Sequence, residues 1–382
     1  MQELFADTPD RLERLCSRLA GSEWLALDTE FLREKTYYPR FCLLQVSNGE
    51  TAACVDPLRI DDLSPLRALL DDPAITKVFH AGRQDLEIFH QLWGTLPAPL
   101  FDTQLAATLT GYGDQVGYAA LVKRLLAIDL EKGQARTDWS LRPLAPEQRR
   151  YALDDVIYLG EIYLRLKARL EELGRIRWLD DDFAALAAPA SYEIDPTRQW
   201  RRIRGHQHLK GVQLAVLQAL AAWRENLAMA SDRPKNWILK DEVLLELARR
   251  MPKDKKQLGR IRGLERGAVE RRGDELLGLI AEARRLPAGQ WPQEEALRVR
   301  PTPEQEALTD ILMCALRLRA EEQRLSPQAL ASRKNLEQLA AGNRDLDLLK
   351  GWRRAVVGAD LLRVLEGKLW PRLKNGRLEL AS

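Results

Sequence analysis

The sequence predicts an α/β N-terminal domain, a mixed sheet flanked by helices, followed by two small all-α domains. Three observations carry this. Short apolar runs alternate with helical patterns in the first half of the chain. Strand signals fade after about Pro146. From Leu209 onward only helical periodicity remains, broken at Asp232–Pro234, Met251–Pro252 and Leu286–Trp291. Strands interleaved with helices place a sheet between helical layers, and purely helical stretches form separate all-α units.

The elements follow in order. Trp24–Asp28 is a short apolar run ending in a carboxylate. Phe41–Ser47 and Thr51–Asp56 are strand candidates joined by Asn48-Gly49, a strong hairpin signal. Lys77–Ala81 is a fourth strand. Helical patterns follow Ser64-Pro65, run from about Gln84 to Trp93, and run from Gln104 to Leu109. One long helix is expected from about Pro146, a good first helical residue, to Leu173, with Gly174 at its end. Ala184–Asp195 reads as a linker or loop. Leu244-Leu245-Glu246-Leu247-Ala248 resembles Leu336-Glu337-Gln338-Leu339-Ala340, and Gly273-Asp274-Glu275-Leu276-Leu277 resembles Gly358-Ala359-Asp360-Leu361-Leu362. The shared order suggests two helical domains in tandem. The expected domains are 1–205 with a linker, 206–290 and 291–382.

Composition narrows the class. Of 382 residues, 45% are hydrophobic and 30% charged, with a net charge of +3. That is globular, not disordered. The total charge says little, but Arg201, Arg202, Arg204 and Lys210 form an acid-free block. A second block runs through Lys253, Lys255, Lys256, Arg260, Arg262, Arg266, Arg271 and Arg272. Such blocks pair with phosphates or form a solvated face. The four cysteines, Cys16, Cys42, Cys54 and Cys314, form no CxxC pair. No disulfide framework or zinc site is expected, and Cys42 and Cys54 read as core. No signal peptide and no membrane-spanning stretch are evident, so a cytoplasmic protein without membrane contact is expected.

The chemistry resides in acidic residues. Asp28 and Glu30 flank Thr29 on a strand, so both project to one face. Two carboxylates so close repel unless a cation lies between them. Divalent Mg²⁺ or Mn²⁺ takes oxygen ligands of this kind, whereas a strand simply exiting to solvent needs none. Asp85 falls in the first turn of a helix after a small-residue turn, where the helix dipole alone accounts for a carboxylate. His80 reads as a structural hydrogen-bonding residue. Tyr151 and Asp155 lie four apart on one helical face, while Asp154 points away and reads as structural.

The combination is more specific than its parts. Leu25-Ala-Leu-Asp28-Thr-Glu30-Phe, His80-Ala-Gly-Arg-Gln-Asp85-Leu and Tyr151-Ala-Leu-Asp-Asp155 resemble the three motifs of the DEDD exonuclease superfamily. Arg150 stands where the histidine-bearing branch has His, so the tyrosine-bearing branch fits. Arg40-Phe-Cys-Leu-Leu-Gln-Val, Thr137-Asp-Trp-Ser-Leu-Arg-Pro-Leu and the helical C-terminal half are similar to bacterial ribonuclease D. The resemblance covers nearly the whole chain. It implies a ribonuclease H-like exonuclease domain and two HRDC-type helical domains, the second more diverged.

The resemblance also implies a reaction. Two divalent metal ions, Mg²⁺ or Mn²⁺, would support 3′→5′ hydrolysis of RNA to nucleoside 5′-monophosphates. Asp28 would bridge the ions, Glu30 and Asp155 would complete one site, and Asp85 would hold the other. Tyr151 would orient the attacking water. The implied partner is RNA, in particular tRNA precursors with 3′ extensions, with no obligate protein partner evident. Lys132, Trp139 and Arg142 are candidate RNA contacts, as are Arg201, Arg202, Arg204 and Lys210; the plainer reading of Lys132–Arg142 is a solvated loop with one anchoring Trp. Two alternatives stand beside this. A DNA exonuclease would use the same acids, because the chemistry acts on phosphate and discrimination rests on the 2′-hydroxyl. A non-catalytic nucleic-acid-binding protein would be expected to lack at least one of the four carboxylates.

Overall fold

A computed structural model describes residues 1–130, 133, 137–293 and 301–382. They form two compact units. The first holds Met1–Phe31, Phe41–Tyr192 and the helices from Pro303 onward; the second holds Leu32–Arg40 and the helices that follow Glu193.

The first unit opens with β1 (Gln2–Ala6), α1 (Pro9–Leu19), β2 (Trp24–Leu32), β3 (Arg40–Ser47) and β4 (Thr51–Val55). It continues with α2 (Ser64–Asp71), β5 (Thr76–Phe79), α3 (Arg83–Trp93), β6 (Leu100–Asp102), α4 (Thr103–Leu109) and α5 (Tyr118–Leu126). Then come α6 (Pro146–Ile157), α7 (Leu159–Glu172) and α8 (Asp180–Leu186). The sheet order is β1-β4-β3-β2-β5-β6. β1 runs parallel to β4, β3 antiparallel to β4, and β2, β5 and β6 parallel to one another, so the sheet is mixed as expected. The Asn48-Gly49 hairpin forms, with Gly49 at φ +90° and Asn48 Oδ1 accepting from the amides of Glu50 and Thr51. Cys42 and Cys54 are buried in the sheet.

Three expectations need correction here. β1, α1, β6 and α5 were not anticipated. β2 runs on to Leu32, so both carboxylates lie within a strand and not at its end. The long helix is two helices parted at Tyr158. The break lies close to Gly160, where a Cβ would come within 2.1 Å of the Trp24 ring. Glycine lets the chain approach the sheet there and weakens helical continuity.

The second unit contains α9 (Val212–Ala230), α10 (Lys235–Ile238), α11 (Asp241–Arg250), α12 (Lys255–Leu258) and α13 (Arg266–Arg285). Its core gathers Leu214, Leu217, Leu220, Leu244, Leu247 and Ile280. Leu32–Arg40, the segment that follows β2, is built into this unit. Tyr37 Oη donates to Glu225 at 2.6 Å, and Asp232 Oδ1 accepts from the Tyr37 and Tyr38 amides at 3.0 Å each.

The C-terminal helices are α14 (Pro303–Gln323), α15 (Pro327–Leu330), α16 (Arg333–Ala340), α17 (Gly351–Arg353) and α18 (Ala359–Leu365), the last two joined by a π turn. They share one apolar cluster with the sheet unit: Leu312, Leu316 and Leu336 belong to the same core as Val116, Leu121 and Leu166. Arg175 donates to the carbonyls of Leu109 and Gln323 at 2.9 Å each, and Trp178 stacks on Trp352 at 4.6 Å. The chain does not end in helices alone. β7 (Trp370–Lys374) and β8 (Arg377–Ala381) form an antiparallel pair around Asn375-Gly376, both with positive φ. Asn-Gly is the same turn signal that marked residues 48–49.

Candidate active site

The site is assembled from three elements of the first unit. β2 supplies Asp28 and Glu30, α3 supplies Asp85, and α6 supplies Tyr151 and Asp155. Asp28, Glu30 and Asp155 each offer a carboxylate oxygen, and these oxygens lie within 4.8 Å of one another. Asp85 is not in this group of three, and Thr29, between Asp28 and Glu30, binds it. The Thr29 hydroxyl donates to Asp85 Oδ1, which fixes that carboxylate.

The turn before α3 is tightly specified. The Asp102 carboxylate accepts from the amides of Ala81, Gly82, Gln104 and Leu105, so it caps α4 and shapes residues 80–82 at once. A Cβ at Gly82 would lie 2.5 Å from Phe79, so only glycine fits. The His80 ring nitrogens lie 2.9 Å from Thr103 Oγ1 and 3.0 Å from the Val116 carbonyl. His80 is thus held as a structural bridge, and burial lowers its pKa.

The carboxylates strain one another. Burial, followed by Asp155 and Asp85, pushes Glu30 up to about 9. Burial and Asp154 push Asp155 up to about 7. Burial raises Asp85 to about 6 against the opposing hydrogen bond from Thr29. Burial and the three other acids hold Asp28 well above the usual carboxylate range. A bare cluster therefore keeps protons that a cation would displace. Hard carboxylate oxygens at this spacing fit a divalent cation such as Mg²⁺ or Mn²⁺. Burial and Asp155 also raise the Tyr151 phenol, which stays protonated and available as an O–H donor.

Tyr118 was not anticipated. Its hydroxyl donates to the Asp154 carbonyl at 2.9 Å, and its ring sits 5.6 Å from that of His80. It ties the end of α6, next to Asp155, to the turn that leads to Asp85. Asp154 itself pairs with Arg150 at 2.5 Å, in keeping with a structural role.

Two expected RNA contacts are turned inward. Arg142 uses all five N–H donors: Asp56 accepts two, and Cys42, Trp139 and Leu141 carbonyls accept the rest. None remains for a phosphate. Trp139 is 1% exposed and packs 6.1 Å from the Tyr151 ring, so it offers no face for a base. Lys132 lies outside the described residues. Arg201, Arg202, Arg204 and Lys210 are exposed in the second unit, with Arg201 lying over the ring of buried Trp200 at 5.2 Å. In the second basic block Lys255, Arg266 and Arg272 are ion-paired with Asp274, Glu270 and Glu275.

Relatives bear on the whole chain. Residues 5–171 match a 3′-5′ exonuclease family, and residues 213–280 match the HRDC domain. Ribonuclease D of Gluconacetobacter diazotrophicus is 43% identical over 95% of this chain and 92% of its own. The chain belongs to the ribonuclease D family. Ribonuclease D of Pseudomonas paraeruginosa is likewise 43% identical, over 93% of this chain and 95% of its own. The crystal structure of Escherichia coli ribonuclease D, an exoribonuclease involved in structured RNA processing, superimposes with a TM-score of 0.84. It is 35% identical and covers 96% of this chain and 99% of that one. The ribonuclease D fold is thus a mixed-sheet exonuclease domain followed by a helical HRDC region, and the protein is a hydrolase of the exoribonuclease class. Among the described residues no helix is long and apolar enough to cross a membrane.

Proposed function

We propose that Asp28, Glu30, Asp85 and Asp155 hold two divalent ions, Mg²⁺ or Mn²⁺, and that Tyr151 orients the attacking water. The observation that carries this is the approach of the Asp28, Glu30 and Asp155 oxygens to within 4.8 Å. When bound, such ions acidify water and offset charge on the phosphate. The protonated Tyr151 hydroxyl sits one turn from Asp155 and supplies a directional hydrogen bond. Thr29 holds the Asp85 carboxylate, and Tyr118 holds the Asp154 carbonyl beside Asp155. Water oxygen bonds to phosphorus, the 3′-oxygen of the preceding nucleotide leaves, and one nucleoside 5′-monophosphate departs per turnover.

The substrate class we infer is tRNA precursors with 3′ extensions and other structured RNAs. Arg201, Arg202, Arg204 and Lys210 are exposed cations suited to RNA phosphates. The C-terminal helices read as a second, diverged HRDC-like domain. Long, short and medium helices of 21, 4 and 8 residues in α14–α16 repeat the 19, 4 and 10 of α9–α11.

Asp28→Asn tests the site. It should abolish mononucleotide release, by at least about a thousandfold, while RNA affinity in a filter-binding assay stays within a few fold. Asp154→Asn should remain active. Activity persisting in Asp28→Asn, or RNA binding lost with it in a folded variant, would contradict the assigned role.

A further inference from the structure

The C-terminal hairpin has a face that the site above does not use. In β7 and β8, Trp370 lies opposite Ala381, Arg372 opposite Glu379 and Lys374 opposite Arg377. Side chains alternate along a strand and opposed residues share a face. Trp370, Arg372, Lys374 and Arg377 therefore line one surface. Arg372 is matched by Glu379 at 2.5 Å. Lys374 and Arg377 make no ion pair among the described residues, and they face each other directly. Like charges in that position weaken a hairpin. Trp370 is 48% exposed beside them.

A large exposed aromatic next to two cations that outnumber the one acid of this face, Glu379, already paired with Arg372, fits a single-stranded nucleic acid. A base stacks on the ring at little cost in sequence preference, and the cations meet phosphates. Trp370 and Lys374 lie about 13 Å apart along the strand, so the contact spans more than one nucleotide. We propose that this face is an accessory RNA contact: an unpaired base stacks on Trp370 while flanking phosphates meet Lys374 and Arg377. The inference rests on the exoribonuclease reading, which makes RNA the ligand at hand. A second copy of the chain fits less well. The opposite face exposes Leu373 at 70% and Leu378 at 51%, while Leu380 packs inward. Two leucines fall far short of the ~800 Å² per partner of a stable interface, and an identical cationic hairpin would repel the first.

The test uses the full chain and a tRNA transcript with a 3′ single-stranded extension. Binding is measured in EDTA, and release of mononucleotide from a five-residue RNA in Mg²⁺. The expected result for Trp370→Ala is about tenfold weaker transcript binding. For the double variant Lys374→Gln and Arg377→Gln, the slope of log affinity against log salt should fall by about 1.4, the value for two single-strand phosphates. Release from the short RNA should stay within twofold. Leu373→Ser, on the other face, should bind like the wild type. Unchanged transcript binding in both hairpin variants overturns the proposal, as does equal loss in Leu373→Ser. So does a shift from dimer to monomer on Leu373→Ser, which would assign the hairpin to a second copy. If the wild type binds through the hairpin but releases no mononucleotide, the nuclease reading fails and the hairpin contact stands.

Discussion

Without a cation, Glu30 keeps its proton at pH 8. Its pKa rises from 4.5 to about 9, and those of Asp155 and Asp85 rise from 3.8 to about 7 and about 6. A carboxyl whose folded pKa exceeds its unfolded value binds more protons in the folded state. Its stabilisation is complete below the unfolded pKa and is lost as pH climbs through the folded one. Melting of the metal-free protein should therefore drop between about pH 4.5 and 9. Mg²⁺ or Mn²⁺ should restore it most at the alkaline end. Glu30→Gln removes one of these costs, so in EDTA at pH 9 it should melt above wild type and gain less from metal. Thermal scans across that range check both, and coincident curves would mean the carboxylates do not interact. Tyr118→Phe removes one neutral hydrogen bond and should cost only about 1 kcal/mol of stability. If Tyr118 positions Asp155, kcat should drop about tenfold with little change in KM; steady-state kinetics decide. Asp28, Glu30, Tyr151 and Asp155 were readable because their combined motifs resemble those of the DEDD exonucleases; the strand and helical periods alone only put each pair on one face. Tyr118 was not, because its role depends on a carbonyl contact between α5 and α6 that no local pattern encodes.

At the scale of elements, the stretch before α6 is an anchor. Asp56 is fully buried and matched by Arg142 at 2.5 Å. Removing one partner of a buried pair strands the other charge, at about 3–5 kcal/mol. Arg142→Ala should lose that much in urea denaturation, whereas an RNA-contact role would leave stability unchanged and weaken binding alone. The sequence could not separate the two, since Arg and Trp serve interiors and nucleic acids alike and only the carbonyls around them decide. The break at Tyr158 was hidden for a related reason. Both halves have helical periodicity, and the cause lies in Gly160 against Trp24, far away in sequence. The β7–β8 hairpin is different: Asn375-Gly376 stood in plain view, but the helical periodicity around it drew the whole region into one class.

At the scale of the molecule, the α/β-then-α order was legible because strand signals interleaved with helical ones give way to helical periodicity after about Pro146. The sharing of a core was not. Leu312 and Leu316 join Leu121 and Leu166 across nearly two hundred positions, and Leu32–Arg40 belongs to the helical unit although it interrupts the sheet sequence. Contacts so distant leave no trace in local pattern. The site chemistry acts on phosphate, so the acids alone do not choose RNA over DNA; the family does. The most direct test is a time course with a 3′-extended tRNA transcript and a matched DNA oligonucleotide. Both carry a 5′ label, and both are incubated with Mg²⁺ or Mn²⁺ and with EDTA. The expected result is a ladder shortening from the 3′ end of the RNA, dependent on metal and absent on DNA. Shortening of DNA in place of RNA, or of neither by folded protein, would contradict it.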